Sequence, residues 1–265
     1  MLVDTHCHLD FLAQPWAAAE QARAVGVCGL VIPSVEPSNF ARVRELAHSM
    51  PGAVYALGLH PCSLERLGDE ALTVLKTALL AVRDDPRLAA VGEVGLDFFV
   101  PGLDRTRMTH LFHEQLRLAR DFDLPVVLHV RRAQDQVLAG LRRFGIRNGI
   151  AHAFNGSLDQ ARAYLRQGMR LGLGGAMTFT RASRIRHLAA ELPLESFVLE
   201  TDSPDIPPAW LQRGQENTPC ELPAIADCLA VLKGLAPEEV AQGTTQSACR
   251  ALPALSAQPS LAARG

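Results

Sequence analysis

The sequence has few aromatic residues, no closely spaced cysteine pairs and no excess of either charge. Phe, Tyr and Trp together make up 5% of the 265 residues, so the core must be built from aliphatic side chains. The six cysteines are scattered, without a C-x-x-C pair, which argues against a disulfide framework or a zinc finger. Lys and Arg number 26 against 28 Asp and Glu, and this balance excludes a protein that coats nucleic acid through its bulk charge.

Long apolar runs are missing as well. No apolar stretch reaches the ~18 residues that a membrane span needs. The first residues also lack a basic segment followed by an apolar run, which a secretory signal would show. We therefore expect no membrane partner and a cytoplasmic, reducing location, whereas the sequence predicts no particular oligomeric state.

Short runs rich in Val, Leu and Ile alternate with longer helical patterns along most of the chain. The strand candidates are LVDTHCH, GLVIPSV, VYALGLH, AAVGEVGLD, LPVVLHV, GIAHAF, MRLGLGG and FVLETD. Two of the segments between these candidates carry one apolar stripe at helical spacing, namely DEALTVLKTALLAV and residues 108–122. Eight such units predict an α/β protein in which parallel strands close into a single (β/α)8 TIM barrel.

The domain organisation follows from the same pattern. No Pro-rich or Ser-rich linker interrupts the strand–helix units, so we predict one barrel domain over residues 1–253. Residues 254–265 are small and unpatterned, and we expect them to form a loose tail.

Five of the nine histidines fall near the C-terminal ends of strand candidates: His6, His8, His60, His129 and His152. TIM barrels gather their catalytic residues at this rim. Three carboxylates, Glu93, Asp97 and Asp202, lie at strand ends too. Each histidine alone is more often a structural residue than a ligand. A whole ring of imidazoles and carboxylates would be costly to bury without a metal ion.

Four imidazoles and two carboxylates exceed the needs of one tetrahedral zinc ion, and they suit two divalent ions roughly 3.5–4 Å apart. Two histidine pairs would each hold one ion, namely His6 with His8 and His129 with His152. We expect Glu93 to bridge both ions. Asp202 follows the last strand, which neighbours the first in a closed barrel, so it should lie beside the first ion. There it would orient a metal-activated water and take its proton.

The motifs resemble those of the TatD family of metal-dependent deoxyribonucleases, within the TIM-barrel superfamily of metal-dependent hydrolases. DTHCHLD, GLHP, GEVGLD, HAFNGS and ETDSP occur in the order and spacing of that family, from residue 2 to about residue 252. The segment GLGGAMTFTRASRIR resembles its YjjV-like branch. The resemblance implies zinc, magnesium or manganese ions and hydrolysis of DNA phosphodiester bonds. It implies the same metal ligands: His6, His8, Glu93, His129, His152 and Asp202.

Three positions depart from the family pattern. Cys220 stands where an aromatic residue is common, Ser247 where asparagine is frequent, and Leu252 where phenylalanine often ends the motif. All three lie away from the predicted metal rim. They therefore bear on substrate preference more than on catalysis.

Several residues near the rim are candidates for holding a phosphodiester. His60 fits the stabilisation of a developing phosphate charge, because the ligand set is already full. Arg131, Arg132, Arg213 and Asn217 offer donors to a phosphate, although a solvated loop position is as common for such arginines. Asp97 would hydrogen-bond a ligand histidine. With so few basic candidates, we expect the partner to be single-stranded DNA or short fragments.

Two other functions remain open. The same barrel also carries amide and ester hydrolases, including deacylases of aminoacyl-tRNA. Amide hydrolases of this kind often bridge their metals with a modified lysine, whereas the fourth strand here offers Glu93 and no lysine. A non-enzymatic metal-binding scaffold would be expected to lack a ligand, and none is missing.

Overall fold

Eight strands and their connecting helices form one parallel barrel. In the computed structural model, which describes residues 1–262, the strands are β1 Leu2–Asp4, β2 Val27–Pro33, β3 Ala53–Leu57, β4 Leu88–Asp97, β5 Val126–Arg131, β6 Gly149–Ala151, β7 Met169–Leu173 and β8 Phe197–Leu199. Each strand pairs in parallel with the next in sequence order. The predicted (β/α)8 TIM barrel is confirmed.

Helices separate most of these strands and cover the outside of the barrel. They are α1 Pro15–Ala24, α2 Phe40–Ser49, α3 Ala71–Ala81, α4 Arg105–Asp121, α5 Gln134–Phe144, α6 Leu158–Arg166, α7 Ser183–Glu191, α8 Leu222–Lys233, α9 Pro237–Ala251, α10 Pro253–Ser256 and α11 Pro259–Ala262. The helix α6 begins at a reciprocal cap between Ser157 and Gln160, because each side chain accepts from the other's backbone N–H. The helix α5 ends at Gly145, whose φ of 72° is left-handed.

Three backbone hydrogen bonds join the segment at β1 to the segment at β8, and one of them runs from the His8 amide to the Ser203 carbonyl at 2.8 Å. The Thr5 amide donates to the Leu199 carbonyl at 2.9 Å, and the Asp202 amide donates to the His6 carbonyl at 2.8 Å. Residues that follow the first and the last strand are thereby brought to the same part of the rim. These hydrogen bonds place the turn after β1 against the turn after β8.

Two apolar layers hold the barrel. One lies between the strands and the surrounding helices, and the other fills the barrel interior with small side chains such as Val31, Val54 and Ala90. Leu252 and Leu255, both fully buried, complete the interior cluster from the C-terminal segment.

The segment predicted as a loose tail is packed over most of its length. Up to residue 262 it forms α10 and α11, and Leu255 joins the interior cluster with Val54 and Ala89. Leu261 packs against the same cluster, and the Ser260 hydroxyl donates to the Cys28 carbonyl at 3.3 Å, so several contacts anchor a segment whose composition predicts a loose tail. The last three residues, 263–265, lie outside the described residues, and the domain boundary after residue 253 stays a prediction. Among the helices of the described part, none combines the length and apolar character that crossing a bilayer requires.

Candidate metal centre

The first two histidines of the site lie in a turn rather than in a strand. The strand candidate LVDTHCH extends to His8, but the strand β1 ends at Asp4, so both histidines lie beyond the strand. Their rings are nearly perpendicular, at 81°, and their Nε2 atoms converge to 3.2 Å. The turn thus points two ring nitrogens at one place.

Asp4 holds this turn against the turn after β8. Its Oδ1 accepts from the amides of His6 at 3.2 Å and Thr201 at 3.0 Å, and its Oδ2 accepts from the Thr201 hydroxyl at 2.6 Å. Asp4 is fully buried, and burial raises its pKa to about 7. This carboxylate therefore fixes His6 relative to Asp202, the residue that directly follows Thr201.

One oxygen of Glu93 faces the first group of donors. Glu93 lies within β4 and is 1% exposed. Its Oε2 is 3.2 Å from His6 Nε2 and 3.4 Å from His8 Nε2. Asp202 Oδ1 lies 3.5 Å and 3.7 Å from the same two nitrogens. The structure thus brings the predicted first-ion residues together around Oε2.

The other oxygen of Glu93 faces a second group. Its Oε1 is 3.1 Å from His129 Nδ1 and 3.3 Å from His152 Nε2. His60 Nε2 is also 3.3 Å from this oxygen, and it is 3.0 Å from His129 Nδ1. The two carboxylate oxygens therefore divide the surrounding imidazoles into two sets, as a bridging role predicts.

The donor set fits bound divalent cations. For bonds of about 2.1 Å, tetrahedral donors stand about 3.4 Å apart, and the distances around Glu93 Oε2 are close to this value. Among residues 1–262, Glu93 Oε2 has no hydrogen-bond donor in suitable geometry, although it is buried. Two imidazole nitrogens at 3.2 Å also repel each other unless a proton or a cation lies between them. Separate groups of three ligand atoms on either side of Glu93 would satisfy an ion: His6, His8 and Glu93, and Glu93, His129 and His152.

Burial and the neighbouring carboxylates determine the pKa values of the cluster's side chains in the protein without metal ions. Burial lowers the pKa of His6 well below its usual value, and His152 lowers it further. Burial opposes a charge on His152 as well, but Asp202 and Glu93 raise its pKa to about 10. Burial raises the pKa of Asp202 to about 6. Since metal ligands must be deprotonated, metal uptake would displace protons from this cluster.

Two carboxylates outside the ligand set lie beside the histidines of the second group. Asp97 Oδ2 is 3.0 Å from His129 Nε2, which leaves the lone pair of Nδ1 free to face Glu93, so the predicted contact of Asp97 is confirmed. Glu200 Oε1 lies 3.5 Å from His152 Nδ1. The sequence interpretation missed Glu200 and Asp4, although each stands two residues before a predicted ligand within the quoted ETDSP and DTHCHLD motifs.

His60 has a defined tautomer. Its Nδ1 accepts from the Cys62 amide at 3.1 Å, so this nitrogen carries a lone pair and the neutral ring carries its proton on Nε2. Burial also lowers the pKa of His60, which favours the neutral ring. The Nε2–H group points at Glu93 and His129. His60 is therefore arranged as a hydrogen-bond donor.

The cluster opens into a cavity of about 920 Å³. Arg131 and Arg132 line this cavity, as the predicted phosphate-binding role requires. Arg213 is exposed on the loop before α8 and does not line it. Asn217 is buried, and its Nδ2 donates to the carbonyls of Thr201 and Asp205 at 2.9 Å and 2.5 Å. The structure thus gives Asn217 a role in shaping the loop after β8, instead of the predicted substrate contact.

The chain is similar in sequence to several known proteins. The sequence profile of the family described as TatD related DNase matches residues 3–253. The chain is 41% identical over 244 residues to an uncharacterized metal-dependent hydrolase of Escherichia coli K12, YjjV, covering 91% of this chain and 93% of that protein. It is 32% identical over 266 residues to the human deoxyribonuclease TATDN3, covering 96% of this chain and 95% of that protein.

A solved structure shows the same likeness in three dimensions. The crystal structure of YjjV, a TatD homologue from Escherichia coli K12, superposes with a TM-score of 0.90 at 39% sequence identity. The match covers 95% of this chain and 98% of that chain.

Proposed function

Because this chain belongs to the family of TatD related DNases, we propose that it is a divalent-metal-dependent hydrolase that cleaves phosphodiester bonds of DNA. The observation that carries the proposal is the position of Glu93. Its two oxygens lie 3.1–3.4 Å from the ring nitrogens of two histidine groups. A carboxylate shared in this way is typical of two-metal sites that act on phosphate esters.

Two divalent ions are proposed, one in each group. His6 and His8 with Glu93 Oε2 and Asp202 would hold the first, and His129 and His152 with Glu93 Oε1 the second. The imidazoles favour zinc-like ions, whereas phosphate substrates favour magnesium or manganese. When bound, such ions supply Lewis-acid chemistry that lowers the pKa of water and neutralises charge on a phosphate.

Asp202 is proposed to orient the attacking water and to accept its proton. Its side chain reaches the cluster from the turn after β8, with Oδ1 3.5 Å from His6 Nε2. The residue is 7% exposed, so only a small part of it is open to the cavity. An ionised carboxylate at this position can accept a proton from water.

His60 is proposed to donate its Nε2–H to a phosphate oxygen as negative charge develops there. Replacing His60 with alanine should lower kcat by about 10²–10³-fold, as the loss of one preorganised donor does. Metal content should stay unchanged, because the tautomer of His60 presents a proton and no lone pair to the cluster. Steady-state kinetics and metal analysis of the same preparations measure both.

A matched control for this variant is His110→Ala, which removes an exposed imidazole from α4. It should behave as wild type in both measurements. Loss of about one metal ion per chain in the His60→Ala protein would show that His60 is a ligand and would contradict the donor role.

Single-stranded DNA or short fragments are the proposed substrates. Arg131 and Arg132 lie at the cavity with Arg66 and Arg184, whereas the whole chain carries a net charge of −2. Four arginines are therefore available at the mouth for the phosphates of a short strand. A shallow dependence of DNA binding on salt follows, because few phosphates are neutralised.

A metal-depletion experiment tests the function as a whole. Protein stripped with a chelator should not cleave oligonucleotides, and adding back zinc, magnesium or manganese separately should restore cleavage with at least one of them. Single-stranded oligonucleotides should be better substrates than duplexes of the same sequence. Cleavage of amide substrates or aminoacyl-tRNA without cleavage of DNA would instead support the other hydrolase classes of this barrel.

A further inference from the structure

Two large apolar rings stand exposed on the wall of the cavity that holds the metal cluster. Phe11 is 50% exposed and Phe99 is 44% exposed, and both line the cavity. Phe112 and Phe154, by comparison, are 1% exposed. Leaving an aromatic ring in water forgoes the stabilisation of burial, so exposed rings at a binding site point to a ligand that covers them.

Phe11 lies beside the first histidine group. It ends the 3-10 turn Leu9–Phe11 that follows β1. Its ring centre is 5.4 Å from that of His8, with only 20° between the ring planes. A flat surface therefore adjoins one of the proposed ligands of the first ion.

Phe99 lies beside the second group, just beyond β4. Its amide donates to Asp97 Oδ1 at 2.8 Å, so it is tied to the same carboxylate that orients His129. The guanidinium carbons of Arg131 and Arg132 are 3.8 Å and 4.6 Å from its ring centre. Guanidinium groups held over an aromatic ring make a positively charged platform.

The two platforms stand across the cluster from each other. Phe11 follows β1, whereas Phe99 and its arginines follow β4 and β5. In an eight-stranded barrel with sequential strand order, these positions lie on opposite sides of the mouth. A phosphodiester at Glu93 would therefore have one platform on each side.

We propose that Phe11 and the Phe99–arginine stack each bind an unpaired nucleobase next to the cleaved phosphate. The inference rests on the proposed nuclease function and specifies its substrate as a strand with exposed bases on both sides of the cleaved bond. Aromatic rings interleaved with basic side chains are the usual surface for single strands, since every base offers a π-face. Bases inside a duplex are already stacked and cannot occupy either ring. Small ester or amide substrates would leave at least one ring uncovered.

Oligonucleotides with single abasic residues test this proposal on the metal-loaded protein. The set contains one normal single strand and two strands in which the nucleotide on one or the other side of the cleaved bond lacks its base. Wild type should show a KM higher by roughly tenfold for each abasic strand, because stacking of one base is worth about that factor or more. Phe11→Leu and Phe99→Leu should each raise KM for the normal strand and lose the penalty at one of the two abasic positions, a different one for each variant.

Trp16→Leu is the matched control. Trp16 is 45% exposed and also carries a guanidinium, with Arg42 4.5 Å from its ring centre, but it does not line the cavity. This variant should keep both abasic penalties. Metal content and the thermal unfolding midpoint of each variant should equal those of wild type, because a ring that only positioned His8 or Asp97 would change metal binding instead.

The outcomes separate this proposal from the function on which it rests. If metal-loaded wild type cleaves none of the oligonucleotides, the nuclease proposal fails and the stacking proposal fails with it. Wild-type cleavage of normal and abasic strands with equal KM would overturn the stacking proposal alone. So would retention of both penalties in Phe11→Leu and Phe99→Leu.

Discussion

The Glu93→Gln protein is expected to lose nearly all turnover and to hold less tightly bound metal than wild type. The substitution keeps the size of the side chain but removes the negative charge that both histidine groups share. A bridging carboxylate that supports both ions contributes several kcal/mol of transition-state stabilisation, so kcat/KM should fall by at least about 10³-fold. Steady-state cleavage of a single-stranded oligonucleotide and metal analysis of protein purified without chelator provide the two measurements.

Glu20→Gln is a suitable control for this variant, because it removes one negative charge from an exposed position of α1. It should retain wild-type turnover and metal content. A Glu93→Gln protein with wild-type kinetics would refute the metal mechanism. Full metal content with no turnover would limit the role of Glu93 to the chemical step.

Asp202→Asn is expected to lower kcat by about 10³-fold while leaving the KM for an oligonucleotide nearly unchanged. The amide has the shape of the carboxylate but cannot accept a proton from water, and general-base catalysis typically contributes 10²–10⁴-fold. The wild-type rate should fall as the pH is lowered through the pKa of Asp202, because a protonated carboxyl is no base. This acidic limb of the pH profile of kcat should be absent in the variant.

Asp205 offers the matched comparison for Asp202. It is exposed and lines the same cavity, yet it belongs to none of the ligand groups around Glu93. Asp205→Asn should therefore keep kcat within a few-fold of wild type, together with the acidic limb. Wild-type kcat in Asp202→Asn would exclude Asp202 as the base. Loss of metal without any change in the pH profile would restrict it to a ligand.

The sequence was sufficient to predict the barrel and the residues that gather on its rim. Alternating apolar and helical segments determine the topology, and in a parallel barrel all strand ends of one polarity meet. Residues as distant as His6 and Asp202 could therefore be placed together without knowing a single distance. The direction of the His6 and His8 rings could not be predicted in this way, because β1 ends earlier than the apolar pattern suggests.

Residues on the loops were harder to predict. The segment between β8 and α8 is long and irregular, and its path leaves Arg213 outside the cavity lining while Asn217 holds the backbone of the loop. A sequence does not show which apolar side chains are exposed. Phe11 and Phe99 could therefore not be distinguished from buried phenylalanines before the cavity was known. The burial of Leu255 could not be predicted either, because a short anchored segment leaves no periodic apolar pattern.

The hydrogen bonds between Asp4 and Thr201 have a consequence for folding during synthesis. They join the first strand of the barrel to the turn after its last strand, across a separation of 197 residues. The residues around Glu93 Oε1, by contrast, are all contributed by the middle of the chain. A nascent polypeptide could thus gather one half of its cation-binding residues early, while the other half waits for the final strand. A polypeptide truncated before the last strand would therefore lack hydrolytic activity, even if most of the barrel had formed.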